Sequence, residues 1–406
     1  MNLPSRVRAL FQTVPRGPEG LLWYLVLLQS VGVTAVLPVL PLYATEHGAD
    51  LAFIGWMVGA YMAANLVATY PAGWLSDRLG RRLLMAIGMG LYGLASLGFL
   101  CFQHPWAFVL LRAIEGVAGA CFVPTALAYV ADRSAPDVRG TRLAQLTAAQ
   151  YLGLLVGPAI GGALASALGY ASPFWVLAGL CVVASGLVAR LPGAGHAEAA
   201  ERHGSETGWS GVRWPLVFGV GARSLAGGFA VALYETVWAI YLKDLGASTW
   251  EISMSWTLFA VPPILLAGVA GRLIDRAGPA WPIRLGTVFS ALIVATYAMT
   301  RRVEVLLALG VVDGIGFAFA YPAQNALMVA AAPEALRGRV IALVTALGTV
   351  GSLIGVVVVP RLYPLGPGWV FGVTSGLLIL SGVVLAMVRL TDSAIRVTPA
   401  GQTVEV

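Results

Sequence analysis

Five acidic or basic side chains lie well away from the ends of long apolar stretches of this sequence, and they are the first candidates for chemistry. Arg112 and Glu115 stand three positions apart in one stretch, Arg223 and Glu235 share a second, and Asp313 lies in a third. A charge at the centre of a bilayer costs on the order of 3 kcal/mol, so such residues mark candidate proton or ligand pathways. A buried carboxyl group can take up and release a proton, and a guanidinium group can hold a carboxylate.

The sharpest proton-binding candidate is Asp313. In the internal repeat described below it matches Glu115, but Gly310 stands where the first copy has Arg112. Its own helix therefore offers no basic neighbour at that spacing, and desolvation is expected to favour the protonated acid. Arg223 can serve as a partner if the two helices meet at similar depth. The alternative is a structural acid that is hydrogen-bonded to neighbouring helices.

Glu235 is the second proton-binding candidate, and the pair Arg112 and Glu115 is the third. Residues three apart on a helix can form an ion pair, so a purely structural role is the alternative for this pair. All four histidines fall in loops or tails. Proton transfer inside the apolar stretches is therefore expected to use carboxylates.

A second set of residues is suited to holding a small organic molecule. Helical spacing places Arg223, Tyr234, Trp238 and Tyr241 on one face, with small residues between them. Such a face suits flat lipophilic or cationic compounds through stacking and cation–π contact. An aromatic belt at the outer membrane interface is the alternative. Further polar candidates inside apolar stretches are Gln29, Asn65, Gln150, Gln324 and Asn325.

The elements that position these residues are long apolar helices. The composition is 58% hydrophobic and 11% charged, with a mean hydropathy of +0.82, which excludes an ordinary soluble domain. Runs near the 20 or so residues that a spanning helix needs lie at roughly 20–44, 52–75, 83–103, 105–131, 143–169, 171–190, 214–242, 250–271, 283–300, 303–332, 339–361 and 368–388. We therefore predict an all-α polytopic membrane protein with twelve transmembrane helices, numbered here as spans 1 to 12.

The placement of charge predicts the orientation. Most of the 25 Lys and Arg residues lie in the tails and in the loops after even-numbered spans, which places both termini in the cytoplasm. The net charge of +6 is explained by this topology, and no nucleic-acid partner is expected. The three cysteines lie in apolar stretches, so neither a disulfide framework nor a metal site is expected.

The chain repeats itself at an offset of 198 residues. The match includes Gly73, Asp77, Arg78 and Gly80 with their counterparts Gly271, Asp275, Arg276 and Gly278. We predict a cytoplasmic tail (1–19), a six-helix bundle (20–190), a cytoplasmic linker (191–213), a second bundle (214–388) and a cytoplasmic tail (389–406). Such parallel repeats place a substrate near the membrane midplane between the halves.

Three motifs carry a family resemblance. The loop after span 2, Gly73-Trp74-Leu75-Ser76-Asp77-Arg78-Leu79-Gly80-Arg81-Arg82, resembles the G-x-L-x-D-R-x-G-R-R signature of the major facilitator superfamily. In that family the loop is a conformational latch, and the implied latch residues are Gly73, Asp77, Arg78, Gly80, Arg81 and Arg82. Its glycines are expected to permit a tight turn and close helix approach. In the second copy Pro279-Ala280 replace the two arginines, so a weaker latch is expected there.

The other two motifs resemble the proton-coupled drug antiporters of that superfamily. Span 4 carries Arg112 in a sequence similar to R-x-x-Q-G, with Glu115 at the glutamine position. Span 5 matches G-x-x-x-G-P-x-x-G-G through Gly153, Gly157, Pro158, Gly161 and Gly162. Glycines spaced in this way clear one helix face for a neighbouring helix, and Pro158 is expected to kink the segment.

The resemblance implies the major facilitator fold and proton-driven efflux of lipophilic or cationic small molecules by a monomer in the inner membrane. The implied partners are substrate, protons and lipid, with a proton gradient as energy source and no cofactor. Export of a sugar or another small metabolite is the alternative, and a membrane sensor without transport is a remote one. No H-E-x-x-H, P-loop or G-x-S-x-G motif supports an enzyme.

Overall fold

The computed structural model describes residues 17–192, 209–333 and 336–388. Most of the predicted N-terminal tail, the centre of the predicted linker and the predicted C-terminal tail lie outside these residues. Within the described ranges the chain is helical and has no strand. This is the expected result in hydrocarbon, where each segment has to satisfy its own backbone hydrogen bonds.

The first half of the chain forms seven helices. They are α1 (Pro18–Val36), α2 (Leu40–Glu46), α3 (Leu51–Leu79), α4 (Arg81–Cys101), α5 (Pro105–Arg133), α6 (Pro136–Leu168) and α7 (Ser172–Val188). Gly80 ends α3 with a φ of +90°, a conformation that glycine adopts without strain.

The second half repeats this plan with one difference at its start. Here α8 (Trp214–Leu233) continues through a π-helical turn (Tyr234–Trp238) into α9 (Ala239–Asp244). The remaining helices are α10 (Thr249–Ala277), α11 (Ala280–Tyr297), α12 (Val303–Ala330), α13 (Arg337–Leu362) and α14 (Pro367–Met387).

All twelve predicted spans are helical, so the predicted all-helical membrane fold is confirmed. Ten helical segments of the described chain are long and apolar enough to cross a membrane by themselves. Span 1 is not the single helix predicted, because α1 and α2 meet at a bend of 44° that contains Pro38. Span 6 is a shorter apolar helix of 17 residues, α7.

The bend in span 1 and the π-helical turn in span 7 occupy the same place in the repeat. Residues 37–39 separate α1 from α2, and adding the repeat offset gives residues 235–237, inside the π-helical turn. Proline lacks the backbone N–H that continues a helix, which explains the first interruption. The second interruption contains no proline and keeps its backbone donors.

The contacts divide the chain into two compact units. Among the described residues, the first unit contains the chain up to Pro192 and also Tyr234–Thr257, and the second contains the rest. The units therefore differ from the two sequence halves by one segment, which starts at the π-helical turn. That segment includes α9 and the beginning of α10.

In the first unit, the glycines of α6 face α1 at backbone contact distance. A Cβ at Gly153 would stand 2.9 Å from the Val31 amide nitrogen, and one at Gly157 would stand 2.7 Å from the Val31 carbonyl oxygen. A Cβ at Gly161 would overlap the Ala35 carbonyl. The predicted seam is thus a helix contact inside the first unit, which is what small residues at this spacing permit.

Two neighbouring positions complete this contact. The hydroxyl of Thr34 donates to the carbonyl of Gly153 over 2.8 Å. Gly162 faces Ser253 of α10, whose hydroxyl oxygen would be 2.5 Å from an added Cβ. The helix α6 continues through Pro158, and the predicted kink there stays a prediction.

The second unit repeats the close contact between α8 and α13. A Cβ at Gly351 would overlap the Leu225 carbonyl, and one at Gly355 would stand 2.6 Å from the Ala232 Cβ. The hydroxyl of Ser352 donates to the Gly228 carbonyl over 2.9 Å. Both units therefore hold one pair of helices together through glycine backbone and a bridging hydroxyl.

We expect Gly157→Leu to destabilise the protein, because the new side chain would collide with the backbone of α1. Overpacking of this kind costs about 1–3 kcal/mol. Gly179→Leu is the matched control, because a Cβ at Gly179, an exposed position on α7, meets no atom within 4 Å among the described residues. The measurement is the thermal unfolding temperature of both purified variants. Equal unfolding temperatures would contradict the packing described here.

Candidate functional site

In the first unit, α5 carries a buried ion pair. The Nη1 atom of Arg112 lies 2.7 Å from Oε2 of Glu115, and the two residues are 3% and 2% exposed. They are three residues apart on one helix, so the helix itself brings them together. The pairing predicted from the sequence is confirmed.

Two tyrosines that the sequence analysis missed complete the surroundings of Arg112. The guanidinium carbon lies 4.4 Å from the ring centroid of Tyr61 on α3, a cation–π arrangement. The hydroxyl of Tyr61 is 3.5 Å from that of Tyr92 on α4. One signal for Tyr61 was available, because it precedes the polar candidate Asn65 by one helical turn.

Small residues on α5 make room for these groups. The amide of Asn65 donates to the Gly116 carbonyl over 3.0 Å. A Cβ at Gly119 would stand 3.0 Å from the Tyr92 hydroxyl and 3.2 Å from the Tyr61 hydroxyl. The polar candidate Asn65 is therefore part of the packing between α3 and α5.

Glu235 also belongs to the first unit, because the π-helical turn is part of it. This turn packs against α3, and Glu235 interacts electrostatically with Arg112. Glu235 is half-buried and makes no hydrogen bond or ion pair shorter than 4.0 Å with another residue that the structure describes. Two carboxylates thus act on one guanidinium group.

The ion pair of α5 leaves two polar atoms buried. Neither Nε of Arg112 nor Oε1 of Glu115 has a hydrogen-bond partner within the described chain. Buried polar atoms in native proteins nearly always have a partner. Arg112 can therefore donate one more hydrogen bond, and Glu115 can accept one more.

The second unit holds the other two buried charges. The Nε atom of Arg223 on α8 donates to the hydroxyl of Thr287 on α11 over 2.9 Å. Arg223 also interacts electrostatically with Asp313 on α12, and the two charged residues are 8% and 4% exposed. The two helices contact each other, so Asp313 has a basic neighbour, as the sequence analysis allowed.

The three aromatic rings of the predicted face of span 7 are neighbours, because the ring centroids of Tyr234 and Trp238 lie 5.6 Å apart and those of Trp238 and Tyr241 lie 6.2 Å apart. Arg223 belongs to the second unit, whereas these three aromatic residues belong to the first. Trp238 and Tyr241 are buried, and the Trp238 indole donates to the Ser255 hydroxyl over 2.9 Å. These two rings form neither an open binding face nor a lipid-facing belt, since both are packed inside the unit.

The remaining polar candidates differ in their surroundings. Gln29 is buried, and its side-chain oxygen accepts from the Ser30 hydroxyl at 3.4 Å. Gln324 and Asn325 on α12 are half-buried, and no hydrogen bond joins them to the described part of the chain. The same holds for Gln150 on α6, which is also half-buried and without a hydrogen bond to the described residues. These three amides are therefore available to a ligand.

The turn between α3 and α4 is organised around Arg81. Its guanidinium nitrogens lie 2.8 Å from Asp77 Oδ1 and 3.1 Å from Asp132 Oδ2, and it donates to the Ser76 hydroxyl over 2.9 Å. Arg78 instead stacks on Trp74, 3.9 Å from the ring centroid. This loop is therefore tied to the end of α5.

The other residues of the predicted latch make different kinds of contact. Arg82 donates to the Leu191 carbonyl over 3.4 Å. Gly73 was expected to permit close helix approach, but a Cβ there would meet no atom within 4 Å in the described chain. In the second copy, Asp275 forms no ion pair with a described residue, and the weaker latch there stays a prediction.

The sequence model of the Major Facilitator Superfamily matches this chain over residues 22–234 and 224–404. The chain belongs to this superfamily. It is therefore a multi-pass membrane transporter and not an enzyme.

Similar proteins have been named for drug resistance. Multidrug resistance protein MdtG of Enterobacter lignolyticus (strain SCF1) is 27% identical over 352 residues, which cover 82% of each chain. Multidrug resistance protein 1 of Bacillus subtilis (strain 168) is 25% identical over 336 residues, which cover 80% of this chain and 85% of that protein.

The fold is similar to solved structures of the superfamily at low sequence identity. The crystal structure of the nucleoside transporter NupG has a TM-score of 0.74 and an identity of 14%, and the match covers 93% of this chain and 100% of that one. This likeness supports the major facilitator fold and carries no information on the substrate.

We expect Asp77→Asn to slow transport by this superfamily member about two- to fivefold, the effect of losing an exposed ion pair worth up to about 1 kcal/mol. Arg81→Ala should be slower still, because it removes the contacts to Asp77, Asp132 and Ser76 together. Asp275→Asn is the control, as it removes the same charge from the unpaired second copy. Transport rates are compared at equal membrane abundance. Equal rates for Asp77→Asn and Asp275→Asn would refute a latch role.

Proposed function

We propose that this transporter exports lipophilic or cationic small molecules in exchange for protons, by alternating access. In this proposal the chain acts as a monomer in the inner membrane with both termini in the cytoplasm. The proton gradient is its energy source, and it needs no cofactor.

The observation that carries the proposal is the set of carboxylates inside the membrane spans. Glu115 and Asp313 are buried, Glu235 is half-buried, and each interacts with a guanidinium group of its own unit. Ionisable groups in spans are costly and mark proton or substrate pathways. A carboxylate beside an arginine can gain or lose a proton when its exposure to water changes.

Two further observations favour export over uptake. The glycine and proline motif of span 5 resembles the motif of the drug antiporters, and its glycines form the contact between α6 and α1. Both relatives described above carry the name multidrug resistance protein. At 25–27% identity, these names support the direction of transport more than any particular compound.

Export of a sugar or another small metabolite is the second candidate function. The amides of Gln324 and Asn325 favour it, because a polar substrate needs hydrogen-bond partners inside the protein. Gln29 and Asn65 contribute less, because each already makes a hydrogen bond within the protein. The side-chain oxygen of Gln29 accepts from Ser30, and the side-chain nitrogen of Asn65 donates to Gly116.

Reconstitution into proteoliposomes with an imposed pH gradient tests the proposal. We expect a lipophilic cation such as ethidium to accumulate against its gradient and the accumulation to collapse when an uncoupler is added. Accumulation of sugars instead would favour the metabolite exporter. Failure to move any compound of a broad panel would favour the remote alternative of a sensor.

We predict that Asp313→Asn abolishes uphill transport driven by the pH gradient and retains downhill exchange of substrate. The reason is that the amide cannot carry the proton but nearly preserves the shape of the side chain. Asp313→Glu is the matched control, because it keeps a carboxyl group beside Arg223 and should retain part of the uphill activity. Undiminished uphill transport by Asp313→Asn would exclude Asp313 as the proton carrier.

A further inference from the structure

The two units differ in the balance of their intramembrane charges. In the second unit, Arg223 is matched by the single carboxylate of Asp313. In the first unit, Arg112 interacts with two carboxylates, those of Glu115 and Glu235. With both acids ionised, the first group carries one excess negative charge, whereas the second carries none.

The two acids of the first unit stand in different positions. Glu115 is 2% exposed and bonded to Arg112, so it acts as the fixed counter-charge of the guanidinium group. Glu235 is half-buried and is presented by a turn that packs against α3 and α2. A small molecule can therefore reach Glu235 more readily than Glu115.

The remaining titratable groups around Arg112 do not alter this balance. Tyr61 on α3 and Tyr92 on α4 are neutral phenols, and their hydroxyls face each other at 3.5 Å. The open polar atoms are Nε of Arg112 and Oε1 of Glu115, which lack a partner in the described residues. Each of these two atoms can therefore take part in one more hydrogen bond.

We propose that Glu115 determines the charge selectivity of this transporter: it cancels Arg112 and leaves Glu235 as the charge that a substrate meets in the first unit. A neutral side chain at position 115 would leave Arg112 to neutralise Glu235, and the preference for cations would disappear. The proposal rests on the proposed function only in assuming that small organic molecules reach this cluster.

The test is equilibrium binding to the purified full chain in detergent, without a pH gradient. The probes are tetraphenylphosphonium and tetraphenylborate, which have the same shape and opposite charge. We expect the unmodified protein to prefer the phosphonium. Glu235→Gln and Glu115→Gln should each weaken phosphonium binding about 30-fold, the size of effect found on removing one partner of a buried charge pair.

Two double variants separate charge balance from loss of structure. Glu115→Gln with Glu235→Gln leaves Arg112 alone, and the preference should reverse in favour of the borate. Arg112→Gln with Glu115→Gln leaves Glu235 alone, and the preference for phosphonium should return. Glu46→Gln, at an exposed acid of α2, removes one charge elsewhere in the first unit and should change nothing.

Several results would overturn the inference. These are an unmodified protein without preference for the phosphonium, unchanged binding in Glu115→Gln, and a double variant lacking both acids that still prefers the cation. A failure of the proposed function is distinguishable from these, because it would show as absent proton-driven transport while the charge preference in binding persisted.

Discussion

Hydrocarbon offers no hydrogen bonds and does not solvate charge, so this protein has to provide a partner for every peptide group and every ion within its spans. Helices satisfy the peptide groups. The ions are satisfied in two separate clusters, one around Arg112 and one around Arg223, each confined to a single compact unit. Because each cluster includes a carboxylate, the same groups that make the charges tolerable also make proton binding possible.

Close backbone contact has a second consequence for these clusters. The pairs α1 with α6 and α8 with α13 leave no space for side chains at their glycines, so each pair is held at fixed distance over several turns. The charged residues lie mainly on other helices, α5 and α12 among them. Of the clustered charges, Arg223 alone lies on one of these four closely packed helices, α8.

Much of this arrangement could be predicted from the sequence, since long apolar runs, a complete loop motif and glycine spacing are local properties. The pair of Arg112 and Glu115 was predictable for the same reason, as one helix fixes its spacing. The approach of Arg223 to Asp313 was stated only as a condition, because it depends on how two distant helices pack. Tyr92 was missed because nothing in its apolar run distinguishes it from a packing tyrosine, and for Tyr61 the only signal was its position one helical turn before Asn65.

The openness predicted for the aromatic face of span 7 is absent at Trp238 and Tyr241, because both rings are buried. Face assignments assume 3.6 residues per turn, and the turn at Tyr234–Trp238 is π-helical. Such turns often lie at functional sites, but this turn contains no proline or glycine to reveal it in the sequence. The same turn carries Glu235 and belongs to the first unit.

The interruptions of α1 and α8 at equivalent positions also bear on the ancestry of the chain. If the halves arose by duplication of one six-helix ancestor, the helix of that ancestor was already interrupted at this position. The interaction that maintains the interruption has since become different in the two copies. In the first copy Pro38 makes the break permanent, because its ring nitrogen has no hydrogen to donate. In the second copy every backbone donor remains, so noncovalent bonds alone maintain the π-helical turn. A shift of those hydrogen bonds by one residue would restore a regular helix without breaking the chain. The first copy cannot make this change, because Pro38 has no backbone N–H to donate.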